Sequence, residues 1–355
     1  MSTLMLRDAA NTSSAVHPGR WFVLVLPALA AIAYPLLLQA IAVLLGLIGV
    51  VSPPSPTAIA IVAIAILACA MSMMAVAFAR ALVLGRSGVG SPASRLLAHL
   101  AFAVPSLLVG FGNVVGLFHA RTALAYAWPL FWLAVMALVT LAEESPEPAL
   151  ISPSWLSPSR RLAVAHGVSA VAILVLFVLP HLANHISGII SGADHIQMMK
   201  LLRLDYRNAI IEPLLLTLIA FQIMSGFVLV RRKLSHPSDF FGTLQTMTGV
   251  YVGFYLLGHM TAAFAARGAG TDTNWNWLTA DDRGLLFYLS GFALVGHYWV
   301  GPIAIITHIG CGLRAVMLAH GVSEQAAARL VFGLIGLGVV VSSVILAGLL
   351  GAHIT

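Results

Sequence analysis

Residues 162–189 read LAVAHGVSAVAILVLFVLPHLANHISGI, a stretch without any Asp, Glu, Lys or Arg. About 20 apolar residues are enough for a helix to cross a bilayer. Backbone groups in lipid must bond within their own segment, which favours a helix over a strand. Eight further predominantly apolar runs, each with at most one charged residue, are 21–50, 57–84, 96–118, 122–141, 209–230, 243–266, 285–319 and 328–351. The predicted fold is therefore an all-α, polytopic integral membrane protein with about nine transmembrane helices.

The composition agrees with this fold class. Apolar residues make up 60% of the chain, charged residues 8%, and the mean hydropathy is +0.99, whereas soluble domains carry about 25% charged residues. The net charge of +6 does not indicate nucleic-acid binding, because the cations lie between apolar runs. Cys69 and Cys311 form no CxxC motif, and GxGxxG and P-loop motifs are absent. The chain is thus not expected to be a complete redox enzyme on its own.

A stretch rich in Pro, Ser and charge divides the chain. We predict an N-terminal tail at 1–20, a four-span membrane domain of unknown role at 21–141, a linker at 142–161, a helical bundle at 162–320 and a final span at 328–351. Lys and Arg are commoner in the segments on the side of the N-terminus, so the positive-inside rule predicts a cytoplasmic N-terminus in a bacterial inner membrane. The run 285–319 could form one span, or two spans with a break near Gly301-Pro302.

Several of the 13 histidines belong to a weak internal repeat of the C-terminal half. His181 follows Leu-Pro and His259 follows Leu-Gly, each late in a span and before an outer loop. At 1.5 Å per residue, both lie about 12 Å below the outer helix ends. The second span of each copy carries Gln222 or His308, nearer the inner face. The repeat predicts an outer pair of histidines and an inner pair in which Gln222 replaces one histidine.

The predicted outer pair, His181 and His259, offers the kind of ligands that haem iron binds. Neutral imidazoles are good ligands for haem iron, and helical bundles hold haem between facing helices, so His181 and His259 are the predicted ligands of one b-type haem. Gly226 and Gly312 come four residues after the inner positions and would let a flat macrocycle approach the backbone. Three other interpretations stay open: His185 as the ligand instead of His181, a metal held by both, or hydrogen bonding between helices.

Two further histidines on one predicted helix have several interpretations. His308 could bind a quinone, act as the single ligand of a haem, or have no ligand role. His297 lies about three turns away near the same face; it could face the outer haem, serve a proton path, or pack between helices.

The segment His308-x-x-x-Gly312-Leu313-Arg314 resembles the haem-ligand segment in the membrane-anchor (cytochrome b) subunits of succinate dehydrogenase and fumarate reductase. His181 and His259 match the outer ligands of those anchors, and Gln222 stands at an inner ligand position. The resemblance covers 160–320 and implies a b-type haem, a quinone and a redox partner subunit. A second set of residues is similar to a eukaryotic mitochondrial membrane-protein family with a tethering or lipid-related role: Arg203-x-x-Tyr206-Arg207, Glu212-Pro213 and Ser225-Gly226.

Four arginines flank the outer level: Arg203, Arg207, Arg267 and Arg283. Haem propionates need cations at such an edge, although interfacial anchoring is an equally ordinary role for an arginine. Glu212 is an acid inside the end of its span and is a functional candidate for that reason. It is expected to pair with Arg203 or Arg207, or to carry protons.

Two functions follow from these features. The first is a membrane cytochrome b-like protein that carries electrons between the quinone pool and a partner through a bis-His haem. The alternative is a non-haem membrane protein of the same fold that serves transport, lipid handling or tethering. Both place the chain in the lipid bilayer and neither involves nucleic acid.

Overall fold

The computed structural model describes residues 18–47, 55–87, 91–144, 160–288 and 291–354. Within these ranges every regular element is helical and no strand occurs. The helices are α1 (Pro18–Leu47), α2 (Pro56–Ser87), α3 (Pro92–Phe102), α4 (Val104–Leu117), α5 (Leu124–Glu144), α6 (Arg160–Ile173), α7 (Leu179–Ser187), α8 (Gly192–Tyr206), α9 (Ile211–Leu234), α10 (Phe240–Gly268), α11 (Trp275–Thr279), α12 (Gly291–Ala319) and α13 (Glu324–Leu349).

Eight spans of the described chain are long and apolar enough to cross a membrane. They are α1, α2, α5, the continuous α6–α7 run, α9, α10, α12 and α13. The prediction of an all-α, polytopic integral membrane protein is confirmed to this extent. The run 285–319 contains one long helix, because α12 continues through Pro302 and is preceded by a 3₁₀ turn, Leu285–Phe287.

The predicted span at 96–118 is a bent pair of helices. α3 and α4 meet at an angle of 81°, with Ala103 between them. Pro105, the second residue of α4, has no N–H for the carbonyl of Ala101, and its ring crowds that carbonyl. The helix restarts where the N–H of Leu107 donates to the carbonyl of Ala103. The ninth predicted span is therefore present only as two short helices.

The bent pair nevertheless packs along most of α10. At its start, Arg95 of α3 donates to the carbonyls of Leu234 and His236, just before α10 begins. At its end, the Nδ2 of Asn113 donates to the carbonyl of Gly258, late in α10. The backbones of α4 and α10 lie close together, since a Cβ built at Gly258 of α10 would lie 3.1 Å from the Cα of Gly110 in α4. α3 and α4 together thus follow α10 from just before its start to Gly258, ten residues before its last residue.

The two predicted membrane units share one hydrophobic core. Tyr34 and Trp128 from the N-terminal spans belong to the same buried cluster as Tyr251 of α10 and Val295 of α12. The N-terminal helices therefore support the C-terminal bundle, since α4 packs on both α10 and α12.

Replacing the buried Arg95 should destabilise this arrangement. Its guanidinium, 7% exposed, donates to two carbonyls at the C-terminal end of α9, where a cation also interacts favourably with the helix dipole. We expect Arg95→Ala to lower the free energy of unfolding by about 2 kcal/mol, the range of charge-assisted hydrogen bonds. Thermal unfolding in detergent measures this, with the exposed Arg86 of α2 replaced by Ala as the control. Equal melting temperatures of the two variants would contradict the prediction.

Candidate functional site

A π-helical turn, Leu174–Val178, joins α6 to α7 without interrupting the run. The N–H of Leu179 donates to the carbonyl of Leu174, five residues back. Pro180 is the second residue of α7 and has no N–H to bond the carbonyl four residues before it. The proline therefore favours the wider turn, and π turns frequently occur at functional sites.

The π turn sets the relation between two histidines of this run. His166 precedes His181 by fifteen residues, whereas four α-helical turns take about 14.4 residues. The wider turn absorbs the difference, and both rings face the α10 and α12 side of the bundle, where His166 meets His308 and His181 meets His259. The run thus presents one imidazole at each of two levels.

The predicted outer pair comes together. The rings of His181 and His259 lie 5.9 Å apart, centre to centre, with their planes at 77°. Phe177 stacks on His181 at 4.8 Å, and Tyr255 stacks on His259 at 5.6 Å with planes only 8° apart. Neither imidazole has a hydrogen-bond partner among the described residues. Packing therefore orients both rings and leaves their nitrogens without a hydrogen-bond partner in the described part of the chain.

His185 lies one helical turn beyond His181, toward the outer end of α7. Its ring contacts His181 at 4.6 Å and His195 of α8 at 5.1 Å, so His181 is the ring that stands next to His259. Within the described residues, no group of three or more His, Cys, Asp or Glu side chains is arranged to hold a metal ion. This geometry gives no support to a bare metal held by His181 and His185.

His195 was not singled out from the sequence and is almost fully buried, at 4% exposure. The Nδ2 of Asn184 donates to its Nε2 at 3.2 Å, and Trp275 lies 4.7 Å from its ring. Burial, and secondarily the charge of Arg203, lowers the pKa of His195 to about 4. The ring is therefore neutral in the folded protein.

This pKa predicts a pH dependence of stability. Between about pH 4 and the ordinary histidine value of about 6.5, unfolded chains bind a proton at His195 and folded chains do not. The free energy of unfolding should therefore rise with pH across this window and fall as the medium is acidified. Melting temperatures measured from pH 4.5 to 7 should show a shallower slope for His195→Gln than for the unchanged protein. Identical slopes would contradict this assignment.

His297 takes part in interhelical packing. Its ring stacks on Tyr255 at 4.5 Å, and its Nδ1 lies 3.1 Å from the Oγ of Ser106 in α4. These contacts tie α12 to α10 and to the bent pair. They match the packing interpretation of His297.

The inner level differs from the predicted arrangement. The Nε2 of Gln222 donates to the carbonyl of His166 and to the Oγ of Ser169, both at 2.6 Å, so this side chain is bound to α6. The ring opposite His308 is that of His166, at 6.3 Å. The sequence repeat missed His166 because it lies outside the repeated segments; its spacing from His181 was the available signal.

The predicted glycines lie near this level. A Cβ at Gly226 would lie 3.6 Å from Cε1 of His166, and one at Gly312 would lie 3.7 Å from the Nε2 of Gln245. The tightest approach to an inner ring is at Gly249 of α10, where a Cβ would lie 2.7 Å from Cε1 of His308.

The four outer arginines have different surroundings. Arg203 pairs with Asp272 at 2.7 Å, and Arg283 donates from Nε to the carbonyl of Ala280. Arg267 pairs with Glu212 at 2.6 Å, so the expected pairing of Glu212 with Arg203 or Arg207 was wrong. Which arginine pairs with Glu212 depends on where the ends of α9 and α10 meet, and the sequence does not show this.

Arg207 is the remaining cation of this group. Its guanidinium has no hydrogen bond or ion pair to a described residue. Partial burial, together with the neighbouring charges of Arg203 and Arg267, lowers its pKa. A cation in such a position favours an added anion, and a carboxylate is one that a guanidinium binds well.

No family model, no curated protein and no solved structure matches this chain.

Proposed function

We propose that this chain is a membrane b-type cytochrome that holds haem between His181 and His259. The observation that carries the proposal is the pairing of these two rings from separate helices. A metal–imidazole bond is about 2.0 Å long, so two imidazoles on opposite sides of one iron have ring centres about 6 Å apart. The separation of 5.9 Å and the absence of hydrogen bonds to other described residues both fit that role.

The number of donors favours haem over a bare ion. A bare divalent ion such as zinc takes four ligands in a closed protein site, and the described residues offer no group of three. Haem brings four nitrogens of its own and needs only two axial ligands from the protein. When bound, it supplies a one-electron redox centre.

The remaining residues of the outer level would hold and orient the group. Phe177 and Tyr255 fix the planes of the two ligands through the stacking described above. Arg207 would bind a propionate, because Arg203 and Arg267 are already engaged with Asp272 and Glu212. A quinone and a redox partner subunit complete the proposal, since an electron carrier needs a donor and an acceptor. We propose a bacterial inner membrane and a cytoplasmic N-terminus on the charge distribution alone.

Optical spectroscopy tests the proposal. Full-length protein, purified in detergent from haem-replete cells, should show a b-type α-band after reduction with dithionite. A pyridine haemochrome assay should give at least one haem per chain. A folded and colourless preparation that elutes as a single species would contradict the proposal.

One observation favours the alternative, lipid-related function. An apolar groove of about 310 Å³ lies between α2, α10, α12 and α13, with Met71, Phe240, Trp299 and Val339 in its lining. Its volume falls within the range of ligand pockets, about 300–1,000 Å³. A colourless preparation that carries stoichiometric lipid through purification would support this function over electron transfer.

A further inference from the structure

A small polar cavity lies at the end of the bundle opposite the outer level, where α2, α3, α9 and α10 meet. Its volume is about 10 Å³, which is room for about one particle the size of a water molecule. The described part of the chain contributes no acidic residue to its lining but several basic ones: Arg95, His99, Lys233 and His236. The cavity is therefore small and has basic surroundings.

The guanidinium of Arg95 has no carboxylate partner. Besides the two carbonyls that its Nη1 contacts, its Nε is buried without a hydrogen-bond partner among the described residues. The carbonyl dipoles compensate part of the charge, but no ion pair joins Arg95 to an acid in the described ranges. A buried cation is costly unless it is paired, so this position favours an added anion.

The two acids bound at the neighbouring helix starts are engaged elsewhere. Asp239 caps α10 by accepting from the N–H of Gly242 at 2.7 Å. Glu143 accepts from the N–H of Ser91 at 3.0 Å, at the start of α3. Neither carboxylate lines the cavity, so a counterion there has to come from the solvent.

Thr243 supplies a second unpaired donor. It is 2% exposed, and its hydroxyl has no hydrogen-bond partner in the part of the chain that the structure describes. Three other threonines of α10 each donate to the carbonyl four residues earlier: Thr246, Thr248 and Thr261. The hydroxyl of Thr243 is thus the exception among these four and is left for another acceptor.

Two neighbours shape the space around Thr243 and Arg95. The Nδ1–H of His99 donates to the carbonyl of Arg95 at 2.7 Å, which holds this ring on its own helix. Gly85, late in α2, has no side chain to fill the cavity: a Cβ there would lie 3.2 Å from the Oγ1 of Thr243 and 3.2 Å from the carbonyl oxygen of Ser238.

We propose that this cavity binds one chloride-sized anion. The Nε–H of Arg95 and the hydroxyl of Thr243 donate to it, and the exposed Lys233 attracts anions to this end of the bundle. The small volume favours a monatomic anion over sulfate or phosphate, which need room for four oxygens. The site is separate from the proposed haem site, because none of its residues lies at the outer level.

Melting temperatures in chloride and in gluconate, at equal ionic strength, test the site. The full-length protein in detergent should melt at a higher temperature in chloride, because a ligand that binds only the folded state stabilises it. Bromide should replace chloride. Thr243→Val should lose the difference between the two salts, yet be at least as stable as the unchanged protein in gluconate, because valine removes a buried hydroxyl that has no partner.

The neighbouring threonine gives a matched control. Thr246 lines the same cavity, but its hydroxyl already donates to the carbonyl of Gly242, so Thr246→Val should keep the full chloride effect. Arg95→Lys keeps the charge but lacks the Nε–H. It should weaken chloride binding by about tenfold, the factor that corresponds to one charge-assisted hydrogen bond. Line broadening in chloride NMR measures this binding without unfolding the protein.

Several outcomes would overturn the proposal. Equal chloride effects in the unchanged protein and in Thr243→Val would show that the hydroxyl does not bind the anion. The absence of a chloride effect would leave the cavity to a water molecule, and stabilisation by vesicles of anionic lipid but not by chloride would assign it to a lipid phosphate. Line broadening by the unchanged protein that bromide does not reduce would overturn the site whether or not the variants fold. All of these results are independent of haem content.

Discussion

His259→Ala is expected to remove the haem of the outer level. The substitution takes away one of the two axial ligands, and loss of even an outer-shell partner lowers metal affinity by about 10–100-fold. We therefore expect haem occupancy at this level to fall by more than about tenfold. The pyridine haemochrome assay and the loss of one component from a redox titration measure the effect.

The neighbouring histidines make this prediction specific. His181→Ala should have the same effect as His259→Ala, because the two rings face each other at 5.9 Å. His185→Ala should keep the haem, since that ring contacts His181 and His195 instead. Haem that survives His181→Ala but not His185→Ala would move the ligand by one helical turn. Haem content that is the same in all three variants would refute the outer site.

Gly301→Ala should strongly destabilise the bundle. A Cβ at this position of α12 would lie 2.2 Å from Cε2 of Tyr255, a separation that requires the ring to move. Tyr255 is buried, at 8% exposure, and stacks on both His259 and His297. Overpacking of this kind costs about 1–3 kcal/mol, so we expect a lower melting temperature in detergent together with weaker haem retention.

A glycine of the neighbouring helix provides a matched control. A Cβ at Gly253 of α10 would meet no atom within 4 Å, so Gly253→Ala should be neutral or stabilising, by about 0.5–1 kcal/mol. The double variant Gly301→Ala/Tyr255→Leu should be less destabilised than the sum of its single variants, because the smaller side chain relieves the clash. A Gly301→Ala protein as stable as Gly253→Ala would show that α10 and α12 do not pack as described.

Hydropathy predicted most spans because lipid allows few alternatives to a helix. It did not predict the bend at Ala103, because a proline breaks the helix at some positions and not at others. Pro27 and Pro35 lie inside α1, and Pro302 lies inside α12, all in continuous helices. Neighbouring helices decide whether a proline breaks a span, and these neighbours come from distant parts of the sequence.

The outer pair could be predicted because depth along a helix follows directly from residue number. The inner pair depends also on rotation about the helix axis, which the π turn changes and a repeat does not reveal. Gln222 was placed at the right level, but its side chain turns to α6. The partner of Glu212 was missed for a similar reason. Several arginines lie near the outer helix ends, and the sequence does not show which of them the carboxylate contacts.

The bent α3–α4 pair constrains the biogenesis of the protein. Its helices have 11 and 14 residues, and each is shorter than the roughly 20 residues that cross a bilayer. The groups that hold the pair in place, near Leu234, His236 and Gly258, are synthesised more than a hundred residues later. Residues 92–117 can therefore make these contacts only after α9 and α10 have been synthesised, so this part of the bundle is completed out of sequence order.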